Sequence, residues 1–97
     1  MSTPNPWSEE SKYLAYLERE RRLFAWTLRQ YGSFTEVAAD DAALARYPYE
    51  APGDYRGLIF HDEAWHYAMI RIHGEQYWIA HPGLQAPPPE YRDIFGT

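Results

Sequence analysis

The chain has 97 residues and a formal net charge of −5, from 14 acidic and 9 basic residues. This length supports one small hydrophobic core, so we expect residues 1–97 to form a single domain. The sequence contains no cysteine, which excludes disulfides and thiolate chemistry, and its acidic balance opposes general attraction to nucleic acid or anionic lipid. There is neither an apolar run of about 20 residues nor a signal-peptide pattern, so we expect a cytoplasmic protein.

The first predicted element is a long helix. Residues 1–7 contain two prolines and are expected to form a flexible lead-in. Ser8 is a candidate N-cap, two glutamates follow it, and neither glycine nor proline occurs again before Gly32. We therefore predict a helix from Glu9 to about Tyr31, with apolar residues at helical spacing that only Glu20 interrupts.

The apolar stripe of this helix is the predicted partner surface. The helix would be about 35 Å long, which exceeds the diameter of about 26 Å expected for a compact chain of this size. Part of it should therefore contact a second subunit. The favoured function is a non-enzymatic interaction or regulatory protein that acts through an aromatic-rich surface as a homodimer, with an unidentified protein partner. The residues predicted to line the contact are Tyr13, Tyr16, Leu17, Phe24 and Tyr31.

A second helix is predicted from the residues that follow. Gly32 is a candidate C-terminal cap of the first helix, and Ser33 to Glu36 has the Ser-x-x-Glu form of a capping box. The helix should end near Arg46, because Pro48 disfavours its continuation. A stiff, proline-containing connector over 47–54 should follow it. The residues predicted to face the core are Phe34, Val37, Ala38, Leu44 and Ala45.

The stretch 57–80 is the most apolar part of the chain and can be interpreted in two ways. Leu58, Trp65, Ile72 and Ile79 recur every seven residues, which favours helix. The alternative is a three-strand antiparallel meander that turns near Gly74. The favoured fold is therefore all-α, with about three helices, and the alternative is α+β, with two helices packed on the meander.

The C-terminal segment 82–97 is predicted to be an extended arm. Three consecutive prolines at 87–89 are typical of polyproline II and interrupt regular structure. Tyr91, Ile94 and Phe95 follow them, and such apolar side chains are unfavourable on a free terminus. We expect the end of the arm to dock on the core.

A metal-dependent enzyme is one alternative function. Imidazole and carboxylate together suit zinc or iron, and on a helix Asp62 and His66 would lie one turn apart, with Glu63 beside them. His73 would lie about 10 Å further along and could not complete the site. No HExxH motif is present, so further ligands would have to come from elsewhere. The simpler interpretation is a capping carboxylate and a hydrogen-bonded histidine, and no cofactor is expected.

A nucleic-acid-binding protein is the other alternative. Four cations and an indole recur on one face of the first helix, where they could contact phosphates and stack on a base. The simpler interpretation is a solvated face with i,i+4 ion pairs such as that between Glu18 and Arg22. No G-x-S-x-G motif or glycine-rich phosphate loop is present, so the sequence supports neither a serine hydrolase nor a nucleotide site. The residues of this face are Lys12, Arg19, Arg22, Trp26 and Arg29.

Overall fold

The computed structural model describes residues 7–94, and this part of the chain is helical without any strand. The all-α prediction is therefore confirmed, and the three-strand meander is wrong. None of the helices described is both long and apolar enough to span a membrane. The elements in chain order are α1 (Glu10–Gly32), α2 (Glu36–Arg46), a 3₁₀ turn (Leu58–His61), α3 (Ala64–His73), α4 (Tyr77–Ala80), a 3₁₀ turn (Pro82–Leu84) and α5 (Pro89–Asp93).

Helix α1 is the central element, because α2 and α3 both pack against it. It begins and ends within one residue of the predicted bounds. Since two helices of the same chain pack on it, its length alone does not require a second subunit, and the predicted homodimer stays a prediction. Its buried residues are Tyr13, Leu17, Glu20, Leu23, Phe24, Ala25, Thr27 and Leu28.

The turn between α1 and α2 differs from its prediction in two ways. Gly32 is the last residue of α1, and Ser33 adopts the left-handed conformation at φ 58°. A Cβ atom on Gly32 would lie 3.0 Å from the side chain of Ile72, so glycine here permits close packing of α1 and α3. Thr35 caps α2 by accepting a 3.1 Å hydrogen bond from the N–H of Ala38, and the predicted capping box at Ser33 is therefore wrong.

Helix α2 packs on α1 through a different face from the one predicted. Ala39 and Ala43 are its buried residues, whereas the side chains of Val37 and Leu44 are 72% and 54% exposed. Two alanines four residues apart allow the backbones of α1 and α2 to approach closely, which larger side chains would prevent. The end of α2 is held where the guanidinium of Arg21 donates a 2.8 Å hydrogen bond to the carbonyl of the buried Tyr47.

The stretch 57–80 is helical but is not one continuous helix. Gly74 has a φ of 91° and Gln76 a φ of 62°, so the chain reverses between α3 and α4. As a result the apolar residues that recur every seven positions are buried only within α3. Trp65 is fully buried, while Leu58 and Ile79, at the two ends of the repeat, are exposed.

The C-terminal segment is not a fully extended arm, because it includes a 3₁₀ turn and α5. Tyr91 is docked as predicted. Its ring lies 5.7 Å from that of Trp65, and its hydroxyl accepts a 3.1 Å hydrogen bond from the N–H of the same residue. Ile94 is exposed, contrary to the prediction, and Phe95 lies outside the described residues.

Trp7, the last residue of the predicted flexible lead-in, packs on the domain. Its ring lies 4.7 Å from that of Tyr16 and 5.0 Å from that of Phe60. The ring also covers the backbone of Gly57, where a Cβ atom would overlap it. Trp7 therefore anchors the start of the described chain, and residues 1–6 lie outside it.

Candidate functional site

A surface concavity lies between α2 and α3. These helices pack on α1 rather than on each other, and this leaves a groove of about 590 Å³ with Phe24 of α1 at its base. Ala42 and Ala45 form its α2 side, and Tyr67 and Ile70 form its α3 side. A groove with an apolar lining and a few polar groups is the default candidate for a binding site.

Two arginines provide most of the charge along this groove. The guanidinium of Arg46 lies 4.0 Å from the centre of the Tyr67 ring, and that of Arg71 lies 5.4 Å from the centre of the Phe34 ring. Within residues 7–94 neither arginine forms an ion pair. Glu75 also lines the groove. Two cations held over rings without a carboxylate partner make the edge of the groove suitable for an acidic ligand.

An exposed apolar surface borders the groove. We name it the α2 outer face; it is the side of α2 opposite Ala39 and Ala43, and Ala45 joins it to the groove. Sequence analysis identified most of these residues as an apolar stripe but placed them against the core. The α2 outer face consists of Val37, Ala38, Asp41, Leu44 and Ala45.

The core contains one carboxylate that sequence analysis treated only as an interruption. Glu20 is 4% exposed, and its Oε2 has no hydrogen-bond partner within residues 7–94. Burial raises the pKa of this carboxyl, although hydrogen bonds from Tyr16 and the N–H of Ala64 and the charge of Arg19 lower it in part. Glu20 does not line the groove, so its main consequence is for stability.

The predicted partner surface on α1 requires correction. Tyr13, Leu17 and Phe24 are buried in the chain's own core, where the rings of Tyr49 and Phe60 contact Tyr13. Tyr16 is half-buried, and Tyr31 is exposed at one edge while its ring lies 5.2 Å from that of Trp65. Aromatic periodicity correctly identified a buried face, but the core of the same chain fills it.

The basic face of α1 does not form an open cationic surface. Lys12 pairs with Glu9 at 3.5 Å, and Arg22 pairs with Glu18 at 3.3 Å. Trp26 is half-buried against the rings of Tyr31 and Tyr91, which occupy the surface a base would need. A phosphate would have to compete with both glutamates. The other members of the face are Arg19 and Arg29, both half-buried.

The predicted metal ligands are not assembled into a site. Across residues 7–94, no three histidine, aspartate or glutamate side chains are placed to hold a metal ion. Asp62 precedes α3 in extended backbone, so the helical spacing between Asp62 and His66 does not apply. Glu63 accepts a 2.8 Å hydrogen bond from Arg92, and Nδ1 of His66 lies 3.1 Å from the hydroxyl of Tyr77.

Comparison of the chain with protein-family models, curated proteins and solved structures finds no match. Evidence about function therefore comes from the groove, the α2 outer face and the charges around them. Arg46, Arg71 and Tyr67 are the groove residues that sequence analysis missed. The sequence gives no local signal for them, because a groove between two helices depends on how each packs on a third.

Proposed function

We propose that this protein is a non-enzymatic interaction protein that acts as a homodimer, with the α2 outer face and the adjoining groove as its interface. The observation that carries the proposal is the exposure of Val37 and Leu44 on a helix beside two arginines that have no ion pair within residues 7–94. Apolar side chains on one helix face next to a groove are typical of surfaces that bind another helix.

The apolar pattern of the α2 outer face supports a second copy as the occupant. We place two α2 helices in a twofold, antiparallel pair centred on Asp41. Val37 of one copy then lies opposite Ala45 of its partner, and apolar groups meet on both sides of the axis. Such self-complementarity is what an isologous dimer requires.

The same arrangement makes Asp41 a weak point. It lies at the centre of the α2 outer face, so the two Asp41 carboxylates would approach each other near the twofold axis. Two carboxylates that face each other across an interface repel, and this repulsion opposes association. Replacement of Asp41 by asparagine should therefore strengthen the dimer, an unusual outcome for a substitution at the centre of an interface.

The interface is small, and we expect weak association. A helix of the length of α2 spans about 16 Å, so the contact lies at the low end of the sizes found for specific interfaces. We expect a dissociation constant on the order of 10 µM or weaker. Such an equilibrium can be measured in the accessible concentration range and can shift with small changes at the interface.

Sedimentation velocity across a concentration series tests the proposal. The wild type should shift from monomer to dimer as concentration rises. The double variant Val37→Asp, Leu44→Asp should weaken association at least about tenfold, because it buries charge in an apolar contact. Since both residues are exposed in the single chain, the double variant should keep its helicity and Tm. Leu58→Asp, at another exposed leucine, is the matched control and should dimerise normally.

A substitution at the twofold axis tests the pairing of the helices. Asp41→Asn should tighten the dimer several-fold. A wild type that stays monomeric to about 300 µM, or a double aspartate variant that associates like the wild type, would exclude this interface.

A further inference from the structure

A second concavity lies away from the proposed dimer interface. It is formed where residues just before α3, the first turn of α3 and α4 come together, and its volume is about 350 Å³. We name it the Trp78 pocket. Its lining residues are Asp62, Glu63, His66, Tyr77, Trp78 and Gln85.

Three aromatic rings form the apolar part of the Trp78 pocket. The Tyr77 and Trp78 rings meet edge to face, with centroids 5.4 Å apart and planes at 80°. The His66 ring is stacked on the Trp78 ring, with centroids 5.8 Å apart. The Nδ1 atom of His66 lies 3.1 Å from the hydroxyl oxygen of Tyr77. Trp78 keeps 37% of its surface exposed, so its indole is fixed by two neighbours and still accessible.

Carboxylates give the Trp78 pocket a negative potential. Burial raises the pKa of the Tyr77 hydroxyl, and the nearby charges of Asp62 and Glu63 raise it further. Glu63 is bound by Arg92 at 2.8 Å. Asp62 is half-buried and forms no ion pair within residues 7–94. A half-buried carboxylate without an ion pair beside an accessible indole favours the binding of a cation.

We propose that the Trp78 pocket binds an organic ammonium group, which sits against the indole face with Asp62 as its counter-ion. An ammonium carrying alkyl groups gains both from apolar contact with the rings and from attraction to their electron-rich faces. A metal ion fits less well, because no three ligands converge within the described chain. This inference is independent of the proposed dimer, since the pocket shares no residue with the α2 outer face or the groove.

Choline and its neutral analogue 3,3-dimethylbutan-1-ol provide a direct test, because they match in shape and differ in charge. Each is titrated into the full ¹⁵N-labelled chain, and the four tryptophan indole N–H signals are followed by NMR. Choline should shift the Trp78 signal selectively, while the other three indoles serve as internal controls. It should also bind about 3- to 30-fold more tightly than the alcohol, the range expected for a cation–π contact with a counter-ion.

Two variants identify the groups responsible. Asp62→Asn should lower choline affinity to near that of the neutral alcohol, whereas Asp93→Asn, at an exposed carboxylate outside the pocket, should leave it unchanged. Trp78→Leu should abolish selective binding, and Asp62→Asn keeps the test decisive if the leucine variant fails to fold.

Peptides distinguish two sources of the ammonium group. A trimethyllysine peptide that binds more tightly than choline would indicate a protein side chain, and the reverse order would indicate a free metabolite. Equal shifts with choline and the alcohol, or no Trp78 shift up to about 20 mM of either choline or the peptide, would overturn the proposal.

Discussion

The buried carboxylate of Glu20 gives the sharpest prediction for stability. Glu20→Gln keeps the size of the side chain and an oxygen that accepts hydrogen bonds, but it removes the charge. In the folded chain Glu20 is 4% exposed, and its Oε2 has no hydrogen-bond partner within residues 7–94. We therefore expect the glutamine variant to be more stable than the wild type at neutral pH.

The magnitude follows from the cost of a buried unsatisfied group. An unsatisfied buried group costs about 1–3 kcal/mol when neutral and more when charged, and glutamine removes only the excess due to charge. Hydrogen bonds to Glu20 and the charge of Arg19 already offset part of this excess. A net gain of about 1–2 kcal/mol is expected for the variant. For a domain of this size it corresponds to a rise in Tm of about 5–15 °C.

The pH dependence separates charge from packing. Burial raises the folded-state pKa of Glu20 above its ordinary value of 4.5, so the wild type loses stability as pH rises from there through the raised folded value. The Glu20→Gln variant does not lose this stability. The difference in Tm between the variant and the wild type should therefore grow as the pH rises from 4.5 through the raised pKa, and stay constant above it. At pH 3.5, where Glu20 is mostly protonated in both states, the Tm values of the two proteins should lie closest together.

Thermal melts by circular dichroism from pH 3.5 to pH 8 measure this difference. Glu18→Gln is the matched control, because Glu18 lies on the same helix but is exposed and pairs with Arg22 on the surface. It should change Tm by no more than about 3 °C, the effect expected for a surface ion pair. If Glu20→Gln lowers Tm at pH 7, or if its gain is the same at every pH, burial does not dominate the energetics of this carboxyl.

Two further substitutions test contacts at the N-terminal end of α1. Gly57→Ala should lower stability by about 2 kcal/mol or more, because Gly57 has a positive φ of 91° and a methyl group there overlaps Trp7; Gly83→Ala, which meets open space, is its control in the same melt. Arg56→Leu should lower Tm at pH 7, because it removes the partner of Glu10 from a buried position. Hydrogen bonds from Tyr49 and Arg56 hold the pKa of Glu10 below 4.5, so the stability that Glu10 contributes is lost as the pH falls. The Tm values of the wild type and of Arg56→Leu should therefore converge at low pH. A difference in Tm between these two proteins that increases as the pH falls would contradict this account.

The residues of the α2 outer face were recognised from the sequence as an apolar stripe, but they were predicted to face the core. The apolar stripe of α2 was visible in the spacing of Val37 and Leu44, and the structure keeps that stripe intact but turns it to solvent. The groove beside it could not be predicted, because Arg46 and Arg71 belong to helices that pack on α1 rather than on each other. The predicted one-turn spacing of Asp62 and His66 is absent for a related reason, since Asp62 lies in extended backbone before α3.

The sequence by itself favoured the helical class and determined the bounds of α1, because these depend on local properties: apolar periodicity and the positions of glycine and proline. Tertiary structure decided which face of α2 is buried, where the stretch 57–80 breaks and that Glu20 lies in the core. Each of these depends on the shape of the neighbouring element. Ala39 and Ala43 fit closely against α1 where Val37 and Leu44 would hold the helices apart, and no feature of α2 read alone distinguishes the two faces.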